Sequence, residues 1–367
     1  MIAQSSLFSH RFHRKQVGID TTMEANNSVF VMVNLKLFGR SSAISYRDQP
    51  AEHKISSTVH NQFTPDECTL PCLCCVFMVI IRCGFGKTCS CDCDTVGRVL
   101  HTLPEGVPVL GVTSLDNLLY LLRGARTSEQ IEVYDMDSYR LLRCLTVPGL
   151  GAKADMTSCA HNSCAYISDW TNKRIHRVGL PHGADVTSWP VNDQPECLSV
   201  TDTHSVLVTC REVRKIKEFS TDGELLREIQ LLQEVTSPRH TVQLSDGRFI
   251  VCHGGRRDPV HRVCLIGSDG HVVKSYGGQS SWFSGSQQIN APCHLAVDMN
   301  GFVFVADAIN DRVLLLSPEL TYVRDVVSRD QLKWRPVRLF LDVNRRRLYV
   351  AVNENTHTDW RVIVVSV

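Results

Sequence analysis

Two groups of residues in this sequence have types and spacings that could do chemistry. The first is a crowd of eight cysteines, Cys68, Cys72, Cys74, Cys75, Cys83, Cys89, Cys91 and Cys93, whose thiolates would suit tetrahedral zinc if their spacing allowed it. Only Cys72-x-x-Cys75 has the knuckle spacing. The cluster therefore stays open between zinc, acylated thiols and an incidental leader, and no metal ligand is assigned. The second group is basic: Arg123, Arg126, Lys173, Arg174, Arg211, Arg214, Arg256, Arg257 and Arg312, accompanied by Trp170. A basic groove with aromatic platforms is what single-stranded RNA requires, and Trp170 and Trp360 are the available rings. Acidic residues share the same stretches (Glu129, Asp169, Glu212, Asp258, Asp307, Asp311, Glu354 and Asp359), so the net field there is small. These residues form the candidate binding set, with a protein partner as the first reading and RNA as the alternative.

Catalytic motifs are scarce. The sequence contains no HExxH, GxSxG, P-loop or dinucleotide fingerprint. His161, His240 and His294 stand near strand starts, but a lone histidine among apolar neighbours is ordinarily packed or hydrogen-bonded. The chain is accordingly expected to be no enzyme, with no catalytic residue, metal or cofactor and no small-molecule substrate. A metal-dependent lyase or lactonase-like enzyme is the remaining alternative. Three or more His, Asp or Glu side chains converging on one axis would favour it.

The elements that must position these residues follow from a repeat. Leu119-Tyr-Leu121, Ala165-Tyr-Ile167, Val206-Leu-Val208, Phe249-Ile-Val251, Val303-Phe-Val305 and Leu348-Tyr-Val350 have centres 46, 41, 43, 54 and 45 positions apart. Each is followed by a polar turn and further apolar runs, the pattern of a four-stranded propeller blade. The long interval contains the insertion Gly277 to Gln288, which belongs in a loop. Asn300-Gly301, Asp246-Gly247 and Asp269-Gly270 mark hairpins, with φ > 0 expected at the turn residues. The predicted fold is all-β: a six-bladed propeller of four-stranded antiparallel blades over 97–367. The sixth unit has only three strands, and Gly97 to Leu103 is a spare one, so this N-terminal strand is expected to close the last blade and leave no bare edge.

Within that frame, Pro292 to Val313, with Asp307, Asn310 and Arg312, closely resembles an NHL repeat, and Tyr166 to Ile175, with Asp169, Asn172 and Arg174, resembles a second copy. NHL repeats form the TolB-like propellers of tripartite-motif proteins. Units one, three, four and six keep only the apolar skeleton. The Cys89-x-Cys91-x-Cys93 spacing is neither a RING nor a B-box, so the ligase module of those relatives is not visible. The resemblance implies a binding platform that uses the loops between second and third strands. The residues themselves supply a structural role for the signature, because a carboxylate and a guanidinium facing each other across a short loop would pin it.

Composition narrows the rest. Lys+Arg of 39 against Asp+Glu of 38 gives a net charge of +1, so no global field favours nucleic acid or an anionic membrane. Residues 1–96 show no sustained period and read as a disordered or poorly structured leader. It lacks a secretory h-region, and the longest apolar runs fall far short of the ~20 residues of a spanning helix. No membrane partner and a cytoplasmic address are the expectations. The eight scattered cysteines, Cys144 to Cys293, are expected to be buried and reduced.

Overall fold

The computed structural model describes residues 97–124, 130–183, 185–279, 288–353 and 360–367, and the backbone of three strands nearer the N-terminus. Those strands, β1 (Gly18–Thr22), β2 (Phe30–Leu37) and β3 (Arg40–Ser45), pair antiparallel in that order. The sequence reading places no strand there. They belong to a unit spanning Met1–Cys89, separate from Ser90–Val367. The Cys68–Cys93 cluster lies outside the described residues, as do Arg126, Glu129, Glu354 and Asp359.

The second unit is a ring of six four-stranded antiparallel sheets. Blade 1 is β5 (Val109–Leu115), β6 (Leu118–Arg123), β7 (Gln130–Asp135) and β8 (Leu141–Thr146). Blade 2 is β9 (Ala154–Cys159) to β12 (Val186–Pro190), with β10 (Cys164–Asp169) and β11 (Arg174–Gly179) between them. Blade 3 runs through β13 (Cys197–Val200), β14 (Val206–Cys210), β15 (Lys215–Phe219) and β16 (Leu225–Gln230). Blade 4 comprises β17 (Pro238–Gln243), β18 (Phe249–His253), β19 (Val260–Ile266) and β20 (Val272–Gln279). Blade 5 has β21 (Pro292–Val297), β22 (Val303–Asp307), β23 (Arg312–Leu316) and β24 (Tyr322–Val327). Blade 6 joins β25 (Arg335–Asp342), β26 (Arg347–Asn353) and β27 (Trp360–Ser366) to β4 (Val99–Thr102) from the other end of the domain.

Second strands such as β10, β18 and β22 are buried along their whole length, because neighbouring blades cover both faces. This is why they read as unbroken apolar runs, whereas outer strands such as β8 and β16 start on exposed residues. Six apolar clusters lie between blades, one for each neighbouring pair, and the one uniting Tyr349 and Val362 with Leu119 and Leu121 joins blade 6 to blade 1. The inner strands β5, β9, β13, β17, β21 and β25 touch in succession, and β25 returns to β5. The ring is closed.

Closure works as expected from the spare segment. β4 pairs antiparallel with β27, Gly97 N donates to Ser366 O at 2.8 Å, Leu103 N donates to Val362 O at 2.9 Å, and Leu103 is buried. The hairpins differ in one detail. Gly247, Gly270 and Gly301 are left-handed, but Asp246, Asp269 and Asn300 are not. The acidic residue preceding the tight turn of blade 5 does its work by side chain instead, since Asp298 Oδ1 accepts from both Asn300 N and Phe302 N at 2.9 Å. No helix among the described residues is long and apolar enough to cross a membrane; the one α-helix among them, Arg329–Leu332, has four residues.

Candidate functional site at the propeller axis

Inner strands deliver the axial residues, and a recurring irregularity decides which ones. In β5, β17, β21 and β25 the register slips by one residue, leaving Leu110, Arg239, Cys293 and Val337 as bulges. A bulge breaks the strict alternation of faces, so that neighbouring residues can both be aimed inward. Just past the bulges of three of these strands stand His240, His294 and Arg338. Asp155, on β9 opposite Ser168, occupies the corresponding place in blade 2.

These four side chains form a circuit, buried at Asp155, His240 and His294 and half-buried at Arg338. Asp155 Oδ1 lies 2.9 Å from Arg338 Nε and 3.7 Å from His294 Nε2, while Asp155 Oδ2 accepts from Leu198 N at 2.9 Å. The His240 and His294 rings stack at 3.9 Å. His240 Nδ1 accepts from Leu295 N at 3.2 Å, and its Nε2 donates to Leu198 O at 3.0 Å. His294 Nδ1 accepts from Leu339 N at 3.3 Å. Each of these side chains thus takes a backbone N–H from the inner strand of the next blade. Arg338 closes the loop, Nε donating to Leu110 O at 2.7 Å and Nη2 to Ala154 O at 3.3 Å.

Burial alone would raise the Asp155 carboxyl, but the Arg338 guanidinium and the two histidines outweigh it and hold the group well below the carboxylate range. Burial, reinforced by His294, pushes His240 down to about 3. Burial also lowers His294, against the pull of Asp155. Both rings are therefore neutral at pH 7, and Asp155 and Arg338 are the charged pair.

Asp155, His240 and His294 offer ligand atoms within 4.8 Å of one another, close enough for one metal ion. Their partners do not fit it. Each Nδ1 lone pair accepts a backbone N–H, which places the proton on each Nε2 and leaves no imidazole lone pair to ligate. The carboxylate already faces a fixed cation at 2.9 Å, and a dication would have to displace Arg338.

Above this circuit, on the face carrying the loops between second and third strands, a cavity of about 470 Å³ opens. Its walls include Arg211, Arg239, Arg256, Arg257 and Arg335, and its one carboxylate is Asp258. The loop is held from behind: buried His261 donates through Nε2 to Gly255 O at 2.9 Å, and Gly255 N donates to Asp258 Oδ2 at 2.5 Å. On the far side of the circuit a second cavity, about 280 Å³, is lined by His240, His294 and the later residues of the inner strands.

The structure sorts the sequence-predicted residues. Arg211, Arg256 and Arg257 converge on the loop-face cavity. Arg123 and Arg312 do not; both are buried and occupied, Arg123 by Glu132 at 2.8 Å and Val107 O at 3.1 Å, Arg312 by Asp307 at 2.8 Å and Gln288 O at 3.0 Å. Assigning them to a binding face is corrected to a pinning role. Lys173 and Arg174 are exposed in blade 2 and do not line the cavity, Arg174 donating to Ser188 Oγ at 3.3 Å. Arg214, half-buried, uses its positive φ to turn the loop and is likewise outside the cavity. Trp170 is partly covered by the Lys153 ammonium, 4.2 Å from the ring centroid. His161 points away from the axis and stacks on His204 at the surface. Arg345 and Arg347, on the opposite face, contact blade 1 through Asp137, Met136 O and Tyr139.

The loop signature behaves as a pin. Asp307 accepts from Asn290 N at 2.6 Å, Asn310 Nδ2 at 2.8 Å and Arg312 Nε at 2.8 Å. In blade 2, Asp169 accepts from Asn172 Nδ2 at 2.7 Å, but His176 at 3.3 Å stands where the guanidinium was expected. Asp155 and Arg338 were absent from the sequence-derived candidates, and no motif or spacing in the sequence marks them. Of the eight described cysteines all are free and seven are buried; Cys144 is exposed, on the outer strand β8.

No protein-family model and no curated protein matches the sequence. Among solved structures, virginiamycin B lyase from Staphylococcus aureus has a TM-score of 0.51 at 10% identity, covering 73% of this chain and 99% of its own. A streptogramin B lyase has 0.50 at 13% identity, covering 73% and 87%. Hydrazine synthase from Kuenenia stuttgartiensis has 0.52 at 12% identity, covering 73% and 97%. Similarity at that identity establishes the six-bladed fold. It also corrects the expectation that the chain is no enzyme, since solved propellers of this shape include lyases; Asp155, His240 and His294 do converge, but with their lone pairs already engaged they are not the metal site that the convergence would have marked.

Proposed function

We propose that this chain is a propeller enzyme of the lyase type, acting on a small molecule held at the loop-face end of the axis. The observation that carries the reading is a guanidinium-lined cavity whose inner wall includes Arg239, Cys293 and Val337, the bulged residues next to the axial circuit. Fixed donors aimed into a partly enclosed site stabilise negative charge as it develops, which is what an elimination demands. Asp258 is the one carboxylate in the wall, with Oδ2 engaged by Gly255 N, and we assign it the role of proton acceptor. The lyases that share this fold support the reaction class. Metal chemistry is left out of the proposal because the axial partners do not suit an ion. Single-stranded RNA draws no support from the aromatics, Trp170 being capped by Lys153 and Trp360 half-buried against the apolar cluster between blades 6 and 1. Blades 2 and 5 we read as NHL-type, supported by the shared Asp–Asn pin.

The test is turnover. Full-length chain incubated with metabolite extract should deplete at least one compound far beyond stoichiometry, as followed by mass spectrometry. Asp258→Asn should abolish the depletion while leaving the melting profile unchanged. Absence of any super-stoichiometric change, or full activity in Asp258→Asn, would remove the reading.

A further inference from the structure

We infer that the loop-face cavity is a site for a small polyanion, a molecule bearing at least two phosphate or carboxylate charges. The inference rests on the cavity being the substrate site proposed above, and it names the substrate's class. Arg211, Arg256 and Arg257 form no ion pair within 4 Å among the described residues, although salt bridges abound elsewhere in the ring. Asp258 can offset only one of them. In a chain of net charge +1, such a local surplus of cations is not a by-product of composition. Guanidinium forks match carboxylate and phosphate oxygens two at a time, so three converging forks exceed what one monoanion can use.

The backbone is shaped to keep these forks close. Gly254 is left-handed at φ +97°, and a side chain there would run into Val260 O. A Cβ on Gly255 would sit 3.0 Å from an Arg211 terminal nitrogen and 3.2 Å from Asp258 Oδ2. Gly254 therefore lets the loop turn tightly against Val260, and Gly255 lets the Arg211 guanidinium lie against the chain. His261, donating to Gly255 O from behind, fixes the loop before any ligand arrives. A volume near 470 Å³ suits a metabolite-sized guest.

Calorimetric titration of the full chain with inorganic pyrophosphate, citrate and uncharged trehalose tests this. Pyrophosphate or citrate should bind and trehalose should not. Affinity should fall at least tenfold in Arg256→Ser/Arg257→Ser, and it should weaken steeply between 50 and 200 mM salt, as expected where charge dominates. Binding of pyrophosphate alone assigns a phosphorylated class, and binding of citrate alone a polycarboxylate. Binding that survives the double substitution, equal binding of trehalose, or no binding of either anion would overturn the inference. An oligouridine that binds a hundredfold more tightly through the same arginines would overturn the small-molecule class. Anion binding without turnover in any extract would leave this inference standing and remove the enzyme. Turnover of an uncharged compound would do the reverse.

Discussion

Arg338, in the axial circuit, and the pair Arg256–Arg257, in the loop-face cavity, meet opposite fates. Arg338 is partly buried and its charge is absorbed by Asp155 and by one backbone carbonyl each of blades 1 and 2. Arg256 and Arg257 are exposed on a glycine-built loop and face a cavity. The contrast separates charge used by the fold from charge left for something arriving from outside. Removing the first should cost stability and leave binding sites vacant only through unfolding. Removing the second should cost binding alone.

The largest effect expected from breaking this contrast is in Arg338→Met, which strands the Asp155 carboxylate in the interior and should destabilise the chain by about 3–5 kcal/mol in urea unfolding. Asp155→Asn added to it should recover part of the loss, since the uncompensated charge is gone. A loss below about 1 kcal/mol would put Arg338 in the same class as a surface arginine.

Acid should weaken the fold next. His240, held down to about 3 by burial and His294, and His253, held down to about 4 by burial, stay neutral in the folded chain. Unfolded, they take up a proton near the ordinary 6.5. Between pH 6.5 and 4 the unfolded chain binds more protons, so stability rises with pH and falls as acid is added, by about 1.4 kcal/mol per pH unit for each ring. Asp155, depressed by Arg338 against its burial, adds a loss of the same sign at lower pH. Asp307, raised by burial, works against it. Melting temperatures across this window should drop steadily, and His240→Gln should flatten the slope; an unchanged slope would mean the ring is protonated in the native state.

Asp307→Ala removes the pin of blade 5 while leaving Arg312 its contacts with Asp325 and Gln288 O, and should cost about 2 kcal/mol. The smallest change sharpens the comparison most. Arg256→Ser/Arg257→Ser should shift unfolding by no more than about 0.5 kcal/mol. A larger destabilisation would mean these arginines too are consumed by the fold.

Much of the propeller was legible in the sequence. The central apolar runs repeat because a strand covered on both faces needs no polar residues, and β10 and β22 show this directly. Half of the site was legible as well: Arg211, Arg256 and Arg257 could be placed on the loop face from strand count alone. Arg123 and Arg312 shared that address, and nothing in their neighbours distinguished a buried guanidinium from a free one. Their partners Glu132 and Asp307 settle the matter by distance, which spacing does not encode.

What the sequence determined by itself is the period, the six blades and the strand that seals the last of them, because the burial of each strand is written locally in its run of apolar residues. The axial circuit was decided only in three dimensions. Asp155, Leu198, His240, His294 and Arg338 come from five different blades, and they meet because the ring closes and bulges turn inward residues that regular alternation would send elsewhere.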